Sequence, residues 1–137
     1  MSDASNDTPD HIRVLLVDDE VGYVNVLANR LEKRGLDVAR ATSGTAALQT
    51  VRNREFDVVV LDLKMEDMDG IEVLRIFKQM DTSMEVIMLT GHGSQAAARE
   101  GLACGAFDYL TKPCELDELL EKIRQAAVHR KNRKIKK

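Results

Sequence analysis

Four short stretches end apolar runs on chemistry-bearing residues: VDDE at 17–20, LDLK at 61–64, LT at 89–90 and TKP at 111–113. They supply Asp18, Asp19, Asp62, Thr90 and Lys112. Carboxylates without histidine or thiolate neighbours suit a hard divalent cation, Mg²⁺ first and Mn²⁺ as its alternative. Three carboxylates brought together repel, and at least one pKa rises unless a cation intervenes. One lysine cannot neutralise three acids. A metal and a lysine for charged oxygens, with a hydroxyl beside them, is the set that phosphoryl transfer requires. Taken singly, each residue has a plainer role. Asp18, Asp19 and Glu20 could favour a helix N-terminus, Asp62 could open a loop, Thr90 could end a strand, and Lys112 could be a solvated charge.

The elements that carry these residues decide between the readings. Strand-length apolar runs occur at 12–17, 36–41, 57–61, 85–89 and 107–110,. Helical spacing lies between them. Val24, Leu27, Ala28 and Leu31 share one face, with Gly35 placed to close the helix,. Ser43 is placed to cap a helix carrying Ala47, Leu48 and Val51, and Asp69 one carrying Ile71, Leu74 and Phe77,. Ser94 opens an alanine-rich helix, and Pro113 precedes one bearing Leu116, Leu119, Leu120, Ile123 and Ala127. Strand and helix alternate five times. That order predicts an α/β fold, a doubly wound parallel sheet with helices on both faces. In such sheets ligands bind beyond the carboxyl ends of the strands, where all five residues fall. The joint arrangement favours the chemical reading.

Composition sets the remaining bounds. The 137 residues suit one domain with a single sizeable core,. No apolar run is long enough to span a membrane, and the polar start, MSDASNDTPD, is no secretory signal,. A cytoplasmic location follows as the default. The boundaries expected are a disordered N-terminal arm at 1–10, the domain at 11–129 and a basic tail at 130–137. The tail, RKNRKIKK, holds six of the 20 Lys and Arg, so residues 1–129 carry 14 against 23 Asp and Glu. An acidic body argues against nucleic-acid binding by the domain. The tail reads first as a solvated helix end, with contact to nucleic acid or an acidic protein, or the start of a linker, as the other readings. Cys104 and Cys114 form no CxxC and read as reduced packing thiols,. His11, His92 and His129 are too scattered for a zinc site.

The segments VLLVDDE, VVVLDLKMEDMDGIEVL, VIMLTGHGS and AFDYLTKP closely resemble the receiver domain of bacterial two-component response regulators. The likeness spans about residues 11–128. It implies a flavodoxin-like sheet in the order 2-1-3-4-5 flanked by five helices. It also implies that Asp62 accepts a phosphoryl group from a sensor histidine kinase or a phosphotransfer protein. Asp18, Asp19, Asp62 and the backbone carbonyl of Lys64 would hold the metal. Thr90 would hydrogen-bond a phosphoryl oxygen, Lys112 would pair with another, and Tyr109 would turn inward as the switch aromatic. The Lys112–Pro113 peptide would be cis. Phosphorylation would reshape the face formed by the fourth helix, fifth strand and fifth helix, for an unidentified downstream protein or a second copy. No output domain follows the fifth helix here, so the expected form is a single-domain regulator.

Some positions depart from the family pattern. Glu66 stands where many relatives have proline, which predicts a more flexible loop and one more acid near the metal. Gly70 is expected to let that loop turn tightly. Lys64 and His92 occupy side-chain positions that tune dephosphorylation, and a cation at Lys64 predicts slowed self-hydrolysis. Cys114 replaces a larger apolar residue. Two rival readings are a Mg²⁺-dependent phosphohydrolase with Asp62 as nucleophile and a pseudo-receiver that is never phosphorylated. Lys64, where the hydrolase needs an acid, counts against the first; the intact constellation counts against the second.

Overall fold

The computed structural model describes residues 11–91 and 95–135. The expected N-terminal arm, His92 and the Ser94 cap lie outside the described residues. The elements are β1 (Arg13–Val17), α1 (Val21–Lys33), β2 (Asp37–Ala41), α2 (Gly44–Asn53) and β3 (Val58–Asp62), then α3 (Gly70–Met80), β4 (Glu85–Thr90), α4 (Gln95–Ala103), β5 (Asp108–Thr111) and α5 (Leu116–Ile135). All pairings are parallel and the order is β2-β1-β3-β4-β5, as the resemblance implied.

Strand alternation divides the core in two. Val14, Leu16, Val58, Val60, Ile87, Leu89 and Leu110 pack with Val24, Leu27 and Leu31 of α1 and with Leu119, Leu120 and Ile123 of α5. Leu15, Val17, Val59, Leu61, Val86 and Met88 pack with Ala47 of α2 and with Val73, Leu74 and Phe77 of α3. Both faces are covered, so β3 is buried at every residue, Asp62 included,. Ser43 Oγ accepts from the Ala46 N–H at 3.0 Å, and Asp69 Oδ1 from the Ile71 N–H at 3.0 Å, as the capping pattern predicted. Gly35, at φ 91°, closes α1 in the left-handed region,. The alanine-rich α4 buries only Ala98 and Gly101 among its described residues. Gly101 lies so close to β4 that a Cβ would fall 2.0 Å from Met88 Sδ.

The C-terminal end departs from expectation. α5 runs through the 129/130 boundary to Ile135, and Arg130 is buried, not solvated. The cause lies at the amino ends of the strands, where α5 covers Asp57 and Glu85. Arg130 Nη1 and Arg13 Nη2 each donate to Asp57 Oδ1 at 2.9 Å, and the Arg13 backbone N–H donates to Oδ2 at 2.8 Å. Arg130 Nη2 also lies 3.8 Å from the carboxylates of Glu55 and Asp81. Glu85, 2% exposed, meets Arg133 at 3.3 Å and contacts His129 Nδ1. A buried carboxylate is costly unless paired and hydrogen-bonded. Arg130 and Arg133, counted as tail, therefore pair with the buried acids at this end of the sheet.

Breaking a buried pair from one side costs about 3 kcal/mol or more. A chain ending at His129 should lose stability of that order in urea denaturation; a detachable tail predicts no loss. Burial works to raise the Asp57 pKa, but hydrogen bonds from Arg13 and the charge of Arg130 hold it below the usual carboxylate range. Its stabilising contribution is therefore present above the ordinary value of about 4 and fades as pH falls below it. Asp57→Asn should flatten that part of the acid denaturation profile.

Candidate functional site

Asp18 follows β1 directly, Asp62 ends β3, Thr90 ends β4, and Lys112 lies in the β5–α5 loop. Parallel pairing in register brings these ends to one edge. Oxygens of Asp18, Asp19 and Asp62 lie within 4.8 Å of one another. Asp18 and Asp62 are buried and Asp19 is half-buried. Lys112 Nζ donates to Asp18 Oδ2 at 2.8 Å and Glu20 Oε1 at 2.9 Å, and lies 3.6 Å from Asp62 Oδ2. Thr90 Oγ donates to the Leu110 carbonyl at 3.4 Å, a long bond,. The Lys112–Pro113 peptide is cis. Tyr109 is half-buried on β5 against the α2–α3 side of the core.

Burial pushes the Asp62 carboxyl up to about 6, the Lys64 N–H opposes the rise, the Asp18 charge adds to it, and Lys112 opposes it. Burial disfavours the charge on Lys112, but hydrogen bonds to Asp18 and Glu20, with the charge of Asp62, raise its pKa above the usual lysine value. The site therefore holds more negative charge than its lysine balances. An all-oxygen donor set with excess anionic charge fits Mg²⁺ or Mn²⁺.

The loop after Asp62 is better anchored than its sequence suggested. Proline has no N–H to give. Glu66 has one, and it donates to Asp19 Oδ2 at 3.1 Å. Asp67 caps α2, accepting from the Gly44 N–H at 2.9 Å and the Thr45 N–H at 3.0 Å. Glu66 thus ties the loop to the Asp19 carboxylate. Gly70 meets a packing need instead of a turn, because a Cβ would lie 2.5 Å from Leu63 Cα. The Lys64 side chain is exposed; its backbone N–H donates to Asp62 Oδ1 at 3.1 Å, and the residue bridges Asp69. Cys114 is half-buried against the α1–α5 side of the core.

Glu20 and Asp67 are the site contacts that sequence reasoning passed over, although the Asp-Asp-Glu run already pointed to Glu20. A cavity of about 890 Å³ lies at the other end of the sheet, beside Arg52, Phe56, Asp81 and Arg133. The acids sit instead on an open edge, which suits an ion and a phosphoryl group approaching on a partner.

Fold and site together define a doubly wound α/β module built around a strand-end aspartate. The response regulator receiver domain model matches residues 14–124, and the chain belongs to that family. It is 39% identical over 122 residues to the transcriptional regulatory protein ZraR of Escherichia coli O157:H7, covering 89% of this chain and 28% of that protein. It is 38% identical over 107 residues to the regulatory protein AtoC of E. coli K12, covering 78% of this chain and 23% of that one. A CheY-like receiver domain from Methanospirillum hungatei superposes with a TM-score of 0.85 at 30% identity, covering 89% of this chain and 98% of that one. The chain thus spans only about a quarter of the length of the curated relatives it matches. Receiver domains are phosphorylated by histidine kinases and regulate downstream effectors. Among the described residues no helix is long and apolar enough to cross a membrane.

The Glu66 contact is open to a direct check. Glu66→Pro removes the N–H and Glu66→Ala keeps it. A hydrogen bond to a charged group contributes about 1.5–3 kcal/mol. Titration calorimetry should therefore show Mg²⁺ binding roughly tenfold weaker in the proline variant than in the alanine variant. Equal affinities would show that the bond does not hold Asp19.

Proposed function

We propose that this receiver domain takes a phosphoryl group on Asp62 from the phosphohistidine of a kinase or phosphotransfer protein in the cytoplasm. The observation that carries the reading is the meeting of Asp18, Asp19 and Asp62 at one strand edge with Lys112 3.6 Å from the acceptor. A carboxylate oxygen of Asp62 attacks phosphorus, the P–O bond forms as the P–N bond breaks, and the departing imidazole takes up a proton. The fixed strand end aims the nucleophile. Asp18, Asp19, Asp62 and the Lys64 carbonyl would hold Mg²⁺, which when bound would supply positive charge to the phosphoryl oxygens. The Lys112 ammonium pairs with one oxygen. Thr90 exchanges its long bond to the Leu110 carbonyl for a shorter one to the phosphoryl group. Its movement gives Tyr109 room to turn and biases the α4–β5–α5 face between two states. That face then engages a downstream protein, an effector segment of a longer chain or a second copy.

Receiver domains are signalling modules. The phosphohydrolase reading is weaker, because the residue two positions after Asp62 is an exposed lysine and supplies no acid to the leaving group. The exposed Lys64 ammonium is free to swing over the phosphoryl group and obstruct attacking water.

Incubation with acetyl phosphate should add one phosphoryl group to the intact mass with Mg²⁺ and none in excess chelator. Asp62→Asn should abolish the gain. A mass gain that survives Asp62→Asn would move the acceptor elsewhere. Lys64→Ala should shorten the lifetime of the phosphorylated form, followed by mass spectrometry; an unchanged lifetime would remove Lys64 from that role.

A further inference from the structure

Lys112 has a neighbour that the phosphoryl-transfer account does not use. Its Nζ lies 4.6 Å from the centroid of the Tyr23 ring, within cation–π range,. Tyr23 stands on α1 and is half-buried against the α1–α5 side of the core, so its ring is held in place. Its side chain also lies beside Cys114, with which it lines a small cavity between α1 and α5. One α1 side chain therefore faces the β5–α5 loop on both sides of Pro113, meeting Lys112 through its ring and lying beside Cys114.

The remaining neighbours of the ammonium are carboxylates: Asp18 at 2.8 Å, Glu20 at 2.9 Å and Asp62 at 3.6 Å. Each attracts it strongly, and each changes its charge or its partners when metal or phosphoryl arrives. An ammonium held only by acids would follow whichever acid was least engaged. Glu20, 66% exposed at its side chain, is the one that would draw it out of the cleft. A ring face attracts the cation without adding an anion to a crowded site. It stays neutral at working pH, since burial and the neighbouring Cys114 push the phenol up to about 12.

Resting on the reading of Asp62 as acceptor, we infer that Tyr23 is a positioning residue for phosphoryl transfer. Its ring face keeps the Lys112 ammonium over the Asp18–Asp62 cleft while the charge on Asp62 changes. The attraction belongs to the π face, so it survives loss of the hydroxyl and is lost with the ring.

The test compares Tyr23→Phe with two ring-free apolar variants, Tyr23→Leu and Tyr23→Met, in the full chain. Two readings are taken: the rate of phosphoryl gain from acetyl phosphate with saturating Mg²⁺, and the proton shifts of the Lys112 ε-methylene by NMR. Leu and Met should slow the gain about threefold to tenfold, while Phe restores it to within about twofold. The ε-methylene should show an upfield ring-current shift in wild type and Phe, absent in Leu and Met. Having two ring-free variants keeps the comparison decisive if one of them folds poorly. Ring-free variants that match Phe in rate, or an ε-methylene shift that is the same in all four proteins, would overturn the inference. A wild type that gains no phosphoryl group would overturn the reading of Asp62, and the NMR comparison would then decide whether the ring holds the lysine.

Discussion

Crowding of like charge at the carboxyl edge of the sheet is the constraint on which the rest depends. Asp18 and Asp62 are buried there, and Asp19 and Glu20 stand beside them. The Lys112 ammonium pairs with three of them, Asp18, Glu20 and Asp62. Such a cluster persists only because the strands that carry it are held from both faces by the apolar core, so the acids cannot move apart without unpacking Val17 or Leu61. The rigidity that makes the site costly also makes it useful: the strand ends bring the Asp62 carboxylate, the Thr90 hydroxyl and the Lys112 ammonium to one edge before any partner arrives,.

The two ends of β3 meet the same difficulty in opposite ways. Asp57, just before the strand, is matched by Arg13 and Arg130, and its pKa falls. Asp62, at its far end, shares a single lysine with Asp18 and Glu20, and its pKa rises to about 6. Burial penalises both carboxylates; the number and permanence of their cations set the sign. Closed pairing suits a structural lock, whereas incomplete pairing leaves an acid able to accept a metal and a phosphoryl group. The loop after Asp62 belongs to the second arrangement. Glu66 ties it to the Asp19 carboxylate and Asp67 ties it to the first turn of α2, while the Lys64 N–H reaches Asp62 Oδ1 and Lys112 lies near Oδ2.

The sequence made the architecture legible because buried parallel strands read as apolar runs and helices as 3.6-residue stripes. The acids, Thr90 and Lys112 were legible because each directly follows such a run. The Arg130–Asp57 pair was not, since its partners are 73 positions apart and lysine- and arginine-rich ends usually are solvated. The anchoring of the loop was hidden for another reason: the Glu66 contact is made by a backbone N–H, which no side-chain pattern records. Tyr23 carries no signal in the sequence beyond its place in α1, and only three-dimensional placement sets its ring against Lys112.

A carboxylate cluster held in excess of its cations should be relieved by a bound divalent ion. Thermal unfolding of wild type and Asp19→Asn, each with millimolar Mg²⁺ and with chelator, tests it most directly. A ligand bound only by the folded state raises Tm as its concentration passes Kd. Wild type should gain several degrees with Mg²⁺; Asp19→Asn should start higher in chelator, having lost one repelling charge, and gain little. A wild type indifferent to Mg²⁺, or an Asp19→Asn that melts lower in chelator, would contradict the account.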